Sequence, residues 1–178
     1  MNPIVKTRNW LKHFIIKFNI CPFAKYPFEN NTIRYHLSKV SNEIEILNEI
    51  WKEIFLLTML DSKYVSTTLF ITPKFQGSFE DFNEFVNILN FELKIHQMDK
   101  HYQLVAFHPH FYFGDENKND LSNLVNRSPF PLIHIIRQND IDQALKNYPN
   151  VLEVPLKNKN LIQSLDQKEI KKILKIIS

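Results

Sequence analysis

Four short β-rich segments set between amphipathic helical stretches predict an α/β fold: a single domain over residues 1–178, with a mixed sheet of four to five strands covered by helices. Two further observations support this. Apolar residues make up 44% of the chain and include 15 Phe, which suits a packed core and not general disorder. At 178 residues the chain is long enough to bury such a core as one unit.

The elements follow in order. Ile4, Trp10, Leu11, Phe14, Ile15 and Phe18, with Lys and Arg between them, fit a helix of period 3.6 that ends near Asn19. Thr32–Leu37 alternates and is β-rich, so it reads as a strand. Ser41 then suits the N-cap of a long helix to about Leu60, with Glu43 and Glu45 near its positive end. Thr67–Thr72 is the second strand, stopped by Pro73. Ser78-Phe79-Glu80-Asp81 resembles a capping box and opens a helix to about His96. Tyr102–Phe107 is a third strand, with His110–Phe113 as its candidate resumption beyond Pro109. Gly114–Asp120 reads as a loop and Leu121–Val125 as one helical turn. Leu132–Ile136 has apolar residues on both faces and is expected to be central. Helices over Asp140–Tyr148 and Gln167–Ile177 complete the chain.

Composition excludes several classes of function. With two glycines, Gly77 and Gly114, standing alone, neither GxGxxG nor GxxxxGK[ST] can be written, so a glycine-rich phosphate cradle is absent. No apolar run approaches the roughly 18 residues that span a membrane. Lys6, Arg8, Lys12 and Lys17 interrupt the stretch where a secretory signal would be continuous. One cysteine permits no internal disulfide, which fits a reducing compartment, and the expected location is cytoplasmic. Charge is uneven: residues 1–40 carry a net +6, residues 41–100 a net −5 and residues 157–178 a net +4. Solvated helix faces account for the basic ends, since no aromatic-interleaved basic stripe accompanies them. Neither nucleic acid nor membrane is an expected partner.

The residues suited to chemistry lie in a few polar segments. Cys21 sits in Asn19-Ile20-Cys21-Pro22-Phe23-Ala24-Lys25, where the first helix stops. As N-cap of a short turn through Phe23–Tyr26 its thiolate gains from the helix dipole, Lys25 and Arg34. At the C-terminal end of the preceding helix the dipole opposes ionisation, and a small buried hydrophobe is the third reading. His108 ends a strand just before a proline, where α/β sheets present side chains to ligands. His110 is two residues on, as paired metal ligands often are. Asn126-Arg127-Ser128 precedes Pro-Phe-Pro, and a guanidinium on a stiff loop suits carboxylate or phosphate, with a structural ion pair to Asp115 or Asp120 as the alternative. His134 lies inside an Ile-rich strand, as a core histidine or as base to a Cys21 nucleophile. His13, His36, His96 and His101 have charged or exposed-looking neighbours and are set aside.

Cys21-Pro22-Phe23-Ala24-Lys25, Phe107-His108-Pro109 and Asn126-Arg127-Ser128-Pro129-Phe130-Pro131 followed by His134 resemble, in that order, the signature of the bacterial and plant family called domain of unknown function 1415. The resemblance runs from the tryptophan-bearing first helix to Tyr148-Pro149 and implies a grouping without a reaction. The family pattern His-Pro-x-aromatic-x-Phe puts His110 at a free position, which weakens a His108/His110 metal pair. It leaves Cys21, Arg34, His108, Asn126, Arg127 and His134 as matching positions. The Gly114 loop and the tail depart from the pattern.

The expected function is therefore a cysteine-dependent enzyme, by hydrolysis or group transfer through a thioester, acting on a small anionic molecule. Cys21 is its nucleophile and His108 or His134 its base, while Arg34, Asn126, Arg127 and Ser128 bind substrate. The alternative is a non-catalytic protein that holds a metal or haem through Cys21 and histidines. An interaction module using the basic ends is a third reading. Cofactor and oligomeric state are left open.

Overall fold

The computed structural model describes residues 2–114, 117–147 and 153–178. Asp115 and the segment Tyr148-Pro149 lie outside these. Four strands form one mixed sheet: β1 (Ile33–Leu37), β2 (Thr67–Ile71), β3 (Tyr102–Phe107) and β4 (Leu132–Arg137), in the spatial order β1-β2-β4-β3. β1 and β2 run parallel, and β4 is antiparallel to both of its neighbours. The Ile-rich fourth strand is internal, as its two-sided apolar pattern requires. His110–Phe113 does not resume as a strand: His108 accepts the Phe111 N–H at its carbonyl, and the chain turns there.

Alternation along the strands sorts side chains onto two faces. One face, with Phe70, Leu104, Ile133 and Ile135, packs under α3 (Glu43–Met59) and α4 (Phe79–Ile95). The other carries Leu69, Ile71 and Leu132. It is covered by α1 (Pro3–Trp10) with its extension Leu11–Ile16, by α6 (Val154–Ser164) and by α7 (Gln167–Ile177). Two short helices, α2 (Lys25–Glu29) and α5 (Gln138–Asn147), and a tight 3-10 turn at Leu121–Asn126 complete the described elements.

The ends of these helices have local causes. Asn2 caps α1 by accepting the Ile4 N–H, with Pro3 at the first helical position. Over Leu11–Ile16 the helix widens to a π turn. It then closes in a Schellman arrangement: Ile20 N–H reaches the Ile15 carbonyl, Asn19 N–H reaches that of Ile16, and Asn19 takes φ 52°. Asn42, not Ser41, caps α3, because its Oδ1 accepts from both Ile44 and Glu45. The capping box of α4 forms as expected between Ser78 and Asp81. α5 starts at Gln138, where β4 passes directly into helix.

Just before α4, Gly77 has φ 147°, and a Cβ there would lie 3.0 Å from Asp81 Cβ and 3.1 Å from its Oδ2. Gly77→Ala therefore strains the backbone and pushes on the acid that closes the capping box. We expect a loss of about 1–3 kcal/mol in urea unfolding, and an unchanged midpoint would contradict this geometry.

Candidate functional site

Two of the three polar segments, Phe107-His108-Pro109 and Asn126–Pro131, meet at the end of the sheet where β3 ends and β4 begins, and α1, which leads towards Cys21, packs on them. His108 N–H donates to the Asn126 carbonyl at 3.3 Å, and Trp10 Nε1 donates to the Arg127 carbonyl at 2.9 Å. Trp10 also meets Phe107 edge-on, so α1, the His-Pro segment and the Asn-Arg-Ser segment are locked to one another.

Within this knot most polar side chains are already engaged. The Arg127 guanidinium donates to the Phe111 carbonyl at 3.0 Å and the Lys118 carbonyl at 2.8 Å, which fastens the loop that follows β3. Burial holds its pKa below the usual value. Among the described residues it has no carboxylate partner: Asp120 instead caps the turn at Ser122, and Asp115 lies outside them. Ser128 is fully buried and its Oγ donates to the Phe130 carbonyl at 2.6 Å. Asn126 contributes its backbone carbonyl to His108.

His108 is buried between Phe79 and Phe82 of α4. Burial first, and His110 second, push its pKa down to about 4, so it is neutral at pH 7. Its Nδ1 accepts the His110 backbone N–H at 3.1 Å, which leaves the proton on Nε2. The free lone pair a base needs is therefore already occupied.

His134 differs. Thr67 Oγ1 donates its one proton to the Ile135 carbonyl at 2.6 Å and lies 2.7 Å from His134 Nε2. The hydroxyl must then accept from Nε2–H, and Nδ1 keeps its lone pair. Burial lowers this imidazole to about pKa 4, again neutral at pH 7. Strand alternation sets His134 on the α1 side of the sheet, in the same cross-strand row as Tyr35 and Leu69.

Cys21 is half-buried on that same side, packed with the α1 cluster. It follows the Schellman turn and opens a turn closed by Ala24 N–H to its carbonyl. Desolvation raises its thiol pKa, and the backbone amides of Phe23 and Ala24 only partly oppose this. The resting side chain is thus a thiol and not a thiolate at neutral pH.

Arg34 is on the other side. Its Nε and Nη2 grip both oxygens of buried Glu53 on α3, at 2.7 and 2.9 Å. His36 Nδ1 lies 3.0 Å from the same carboxylate and its Nε2 3.2 Å from Glu49, with the ring stacked on Phe70 at 4.7 Å. Thr68 Oγ1 donates to Glu53 at 3.4 Å. Cys21 and His134 therefore share one face of the sheet, while Arg34 and His108 belong to the other.

Two residues with no marked signal in the sequence complete the picture. Arg8 lies over the rings of both Phe28 and Tyr35, at 5.5 and 5.2 Å, on the Cys21 side. The Tyr35 hydroxyl is buried and makes no hydrogen bond among the described residues; burial raises its pKa to about 12, with Arg8 opposing. A basic residue in a cationic helix and an aromatic strand residue are ordinary on paper, so only the packing reveals them. Among the described residues no group of three or more His, Cys, Asp or Glu is arranged to hold a metal ion. No helix among them is long and apolar enough to cross a membrane.

A family model described as Protein of unknown function (DUF1415) matches residues 2–172. The chain belongs to this family. That match covers all three polar segments and agrees with the resemblance they carry. No curated protein and no solved structure gives a match.

Proposed function

We propose that this DUF1415 protein is a thiol-dependent enzyme, a hydrolase or group-transfer catalyst acting on a small anionic molecule, with its site on the α1 side of the sheet. The observation that carries the reading is the state of His134: neutral, fixed by Thr67 as the Nε2–H tautomer, and without a hydrogen bond at Nδ1 among the described residues, on the face that also holds Cys21. That imidazole is a base with an unused lone pair. A half-buried thiol of raised pKa is the acid it serves.

In the reaction, Cys21 passes its Sγ proton to Nδ1 of His134 as sulfur bonds the electrophilic acyl carbon. The leaving group departs with that proton, and water then cleaves the thioester and restores the thiol. Arg8, poised over Tyr35 and Phe28, holds the anionic end of the substrate, and the Tyr35 hydroxyl supplies a hydrogen bond. His108, Asn126, Arg127 and Ser128 act as positioning residues that fix the end of the sheet. Arg34 acts as a brace on α3.

The probe is the mono-p-nitrophenyl ester of a dicarboxylic acid, followed by nitrophenol release and intact mass. One acyl adduct is expected, on Cys21, and Cys21→Ser abolishes it. His134→Gln should slow acylation by about 10²–10⁴-fold, the span of general-base catalysis, and Arg8→Gln should raise KM more than it lowers kcat. Because Nδ1 must be unprotonated, the rate falls as pH drops through about 4, and it climbs above neutrality as the raised thiol ionises. A Cys21 that accepts acyl groups only after denaturation would sink the proposal.

A further inference from the structure

The two basic ends of the chain are brought together. α7 packs beside α1, and between them runs a recess of about 490 Å³ rimmed by Lys6, His13, Lys17, Lys172 and Lys175, with Glu169 the one acid in it. Its floor is apolar, from Phe18, Ile173 and Ile176. A shallower depression along α7 adds Lys168 and Lys171 and shares Lys172 and Lys175. The two concavities together carry six lysines against one glutamate. Glu169 takes Lys17 at 3.1 Å and Lys172 at 2.7 Å. Lys6 donates to the Ser178 carbonyl at 2.6 Å, and Lys168, Lys171 and Lys175 have no carboxylate partner among the described residues. So dense a positive rim repels itself unless an anion neutralises it.

We propose that the α1–α7 recess binds a small, multiply phosphorylated molecule. Three observations select that occupant. The recess has the volume of a small-molecule site, in the usual range of about 300–1,000 Å³. Its cations converge from two helices on one concavity, and ammonium groups are compact point charges suited to clustered phosphate oxygens. Its one phenyl ring, Phe18, is already covered by Lys17 at 4.6 Å, which leaves the lone His13 imidazole on the rim and no run of rings on which successive nucleic-acid bases stack. A membrane surface fits no better, since Ile170, Ile173 and Ile177 of α7 are buried inward and Leu174 is the one exposed large apolar side chain the helix could insert. The site is separate from Cys21 and stands whether or not that thiol is catalytic.

The test is calorimetric titration of the full chain with inorganic tripolyphosphate in about 50 mM salt, where screening is weak. Lys172→Gln with Lys175→Gln should weaken binding at least about 10-fold, while Lys52→Gln with Lys94→Gln, on the opposite side of the sheet, leaves it unchanged. Glu169→Gln should tighten binding, a gain that misfolding cannot imitate. Cys21→Ser should not alter it. The proposal is overturned if tripolyphosphate fails to bind, if the two double variants weaken it equally, or if Glu169→Gln gives no gain. Binding of a single-stranded oligonucleotide or of anionic phosphatidylserine vesicles in place of tripolyphosphate overturns it in favour of those partners.

Discussion

Glu53→Ala is expected to destabilise the protein by about 3 kcal/mol, because it strands the Arg34 guanidinium and the His36 imidazole that now share one buried carboxylate. The figure sits at the low end for a broken buried pair because the Arg34 side chain keeps 38% of its surface in water. In a chain of this size the loss corresponds to about 6–12 °C in Tm. Glu53→Gln retains the shape and loses the charge, so its cost isolates the electrostatic part. The network also sets a pH profile. Burial pushes the Glu53 carboxyl up, but His36 and Arg34 together outweigh that and bring it down to about 2. Its stabilisation is complete above the ordinary carboxylate value and is lost as pH falls from about 4.5 towards 2. His36 runs the other way: Glu53, its largest influence, and Glu49 raise it. Its contribution is full below about 6.5 and fades as pH rises through the raised folded value. Tm is therefore expected to peak in mildly acidic buffer and to decline on both sides. In Glu53→Gln the acid limb flattens, and a wild-type-shaped profile for that variant would refute the assignment.

Trp10→Ala should cost about 4 kcal/mol, the upper range for removing a large buried side chain. The ring is 2% exposed, meets Phe107 edge-on at 5.6 Å and holds the Arg127 carbonyl through Nε1. Trp10→Phe keeps much of the packing and loses the hydrogen bond, so about 1 kcal/mol is expected for it. Urea titrations of both variants separate the two parts. If Trp10→Phe costs as much as Trp10→Ala, the indole N–H carries α1 onto the loop and ring packing does not.

Strand positions were legible because β-branched alternation is a local signal: Tyr102–Phe107 falls where the pattern puts it, and Thr32–Leu37 and Leu132–Ile136 differ from the observed strands by a single end residue. The terminal helix Gln167–Ile177 likewise matches its periodicity. α6 was not legible. Val154–Ser164 places Pro155 in its first turn, scatters Asn and Lys through its length, and buries only Asn158 and Ile162, so no apolar stripe announces it. The candidate site divided along the same line. Alternation in β1 separates Arg34 and His36 from Ile33 and Tyr35, but which face receives the Cys21 helix is decided by tertiary packing, which no spacing reveals. One signal was present in the sequence without being read: Glu45, Glu49 and Glu53 recur every four residues along α3, and two of them are the carboxylates that meet His36. The charged neighbours of His36 in the chain argue for a solvated side chain, yet its true partners lie a helix away.

The strand order β1-β2-β4-β3 has a consequence for synthesis. The central pairing joins Ile71 to Leu132 and Thr67 to Ile136, so about 60 residues separate β2 from the neighbour that completes it. At a translation rate of roughly 5–20 residues per second, the emerging chain carries β2 for some 3–12 s with one edge unpaired. Every residue of that strand, Thr-Thr-Leu-Phe-Ile, is buried in the finished protein. The nascent chain thus holds a strand destined for full burial open until the last strand arrives, and recovery of soluble protein should depend on elongation speed and chaperone supply more than on the stability of the folded state.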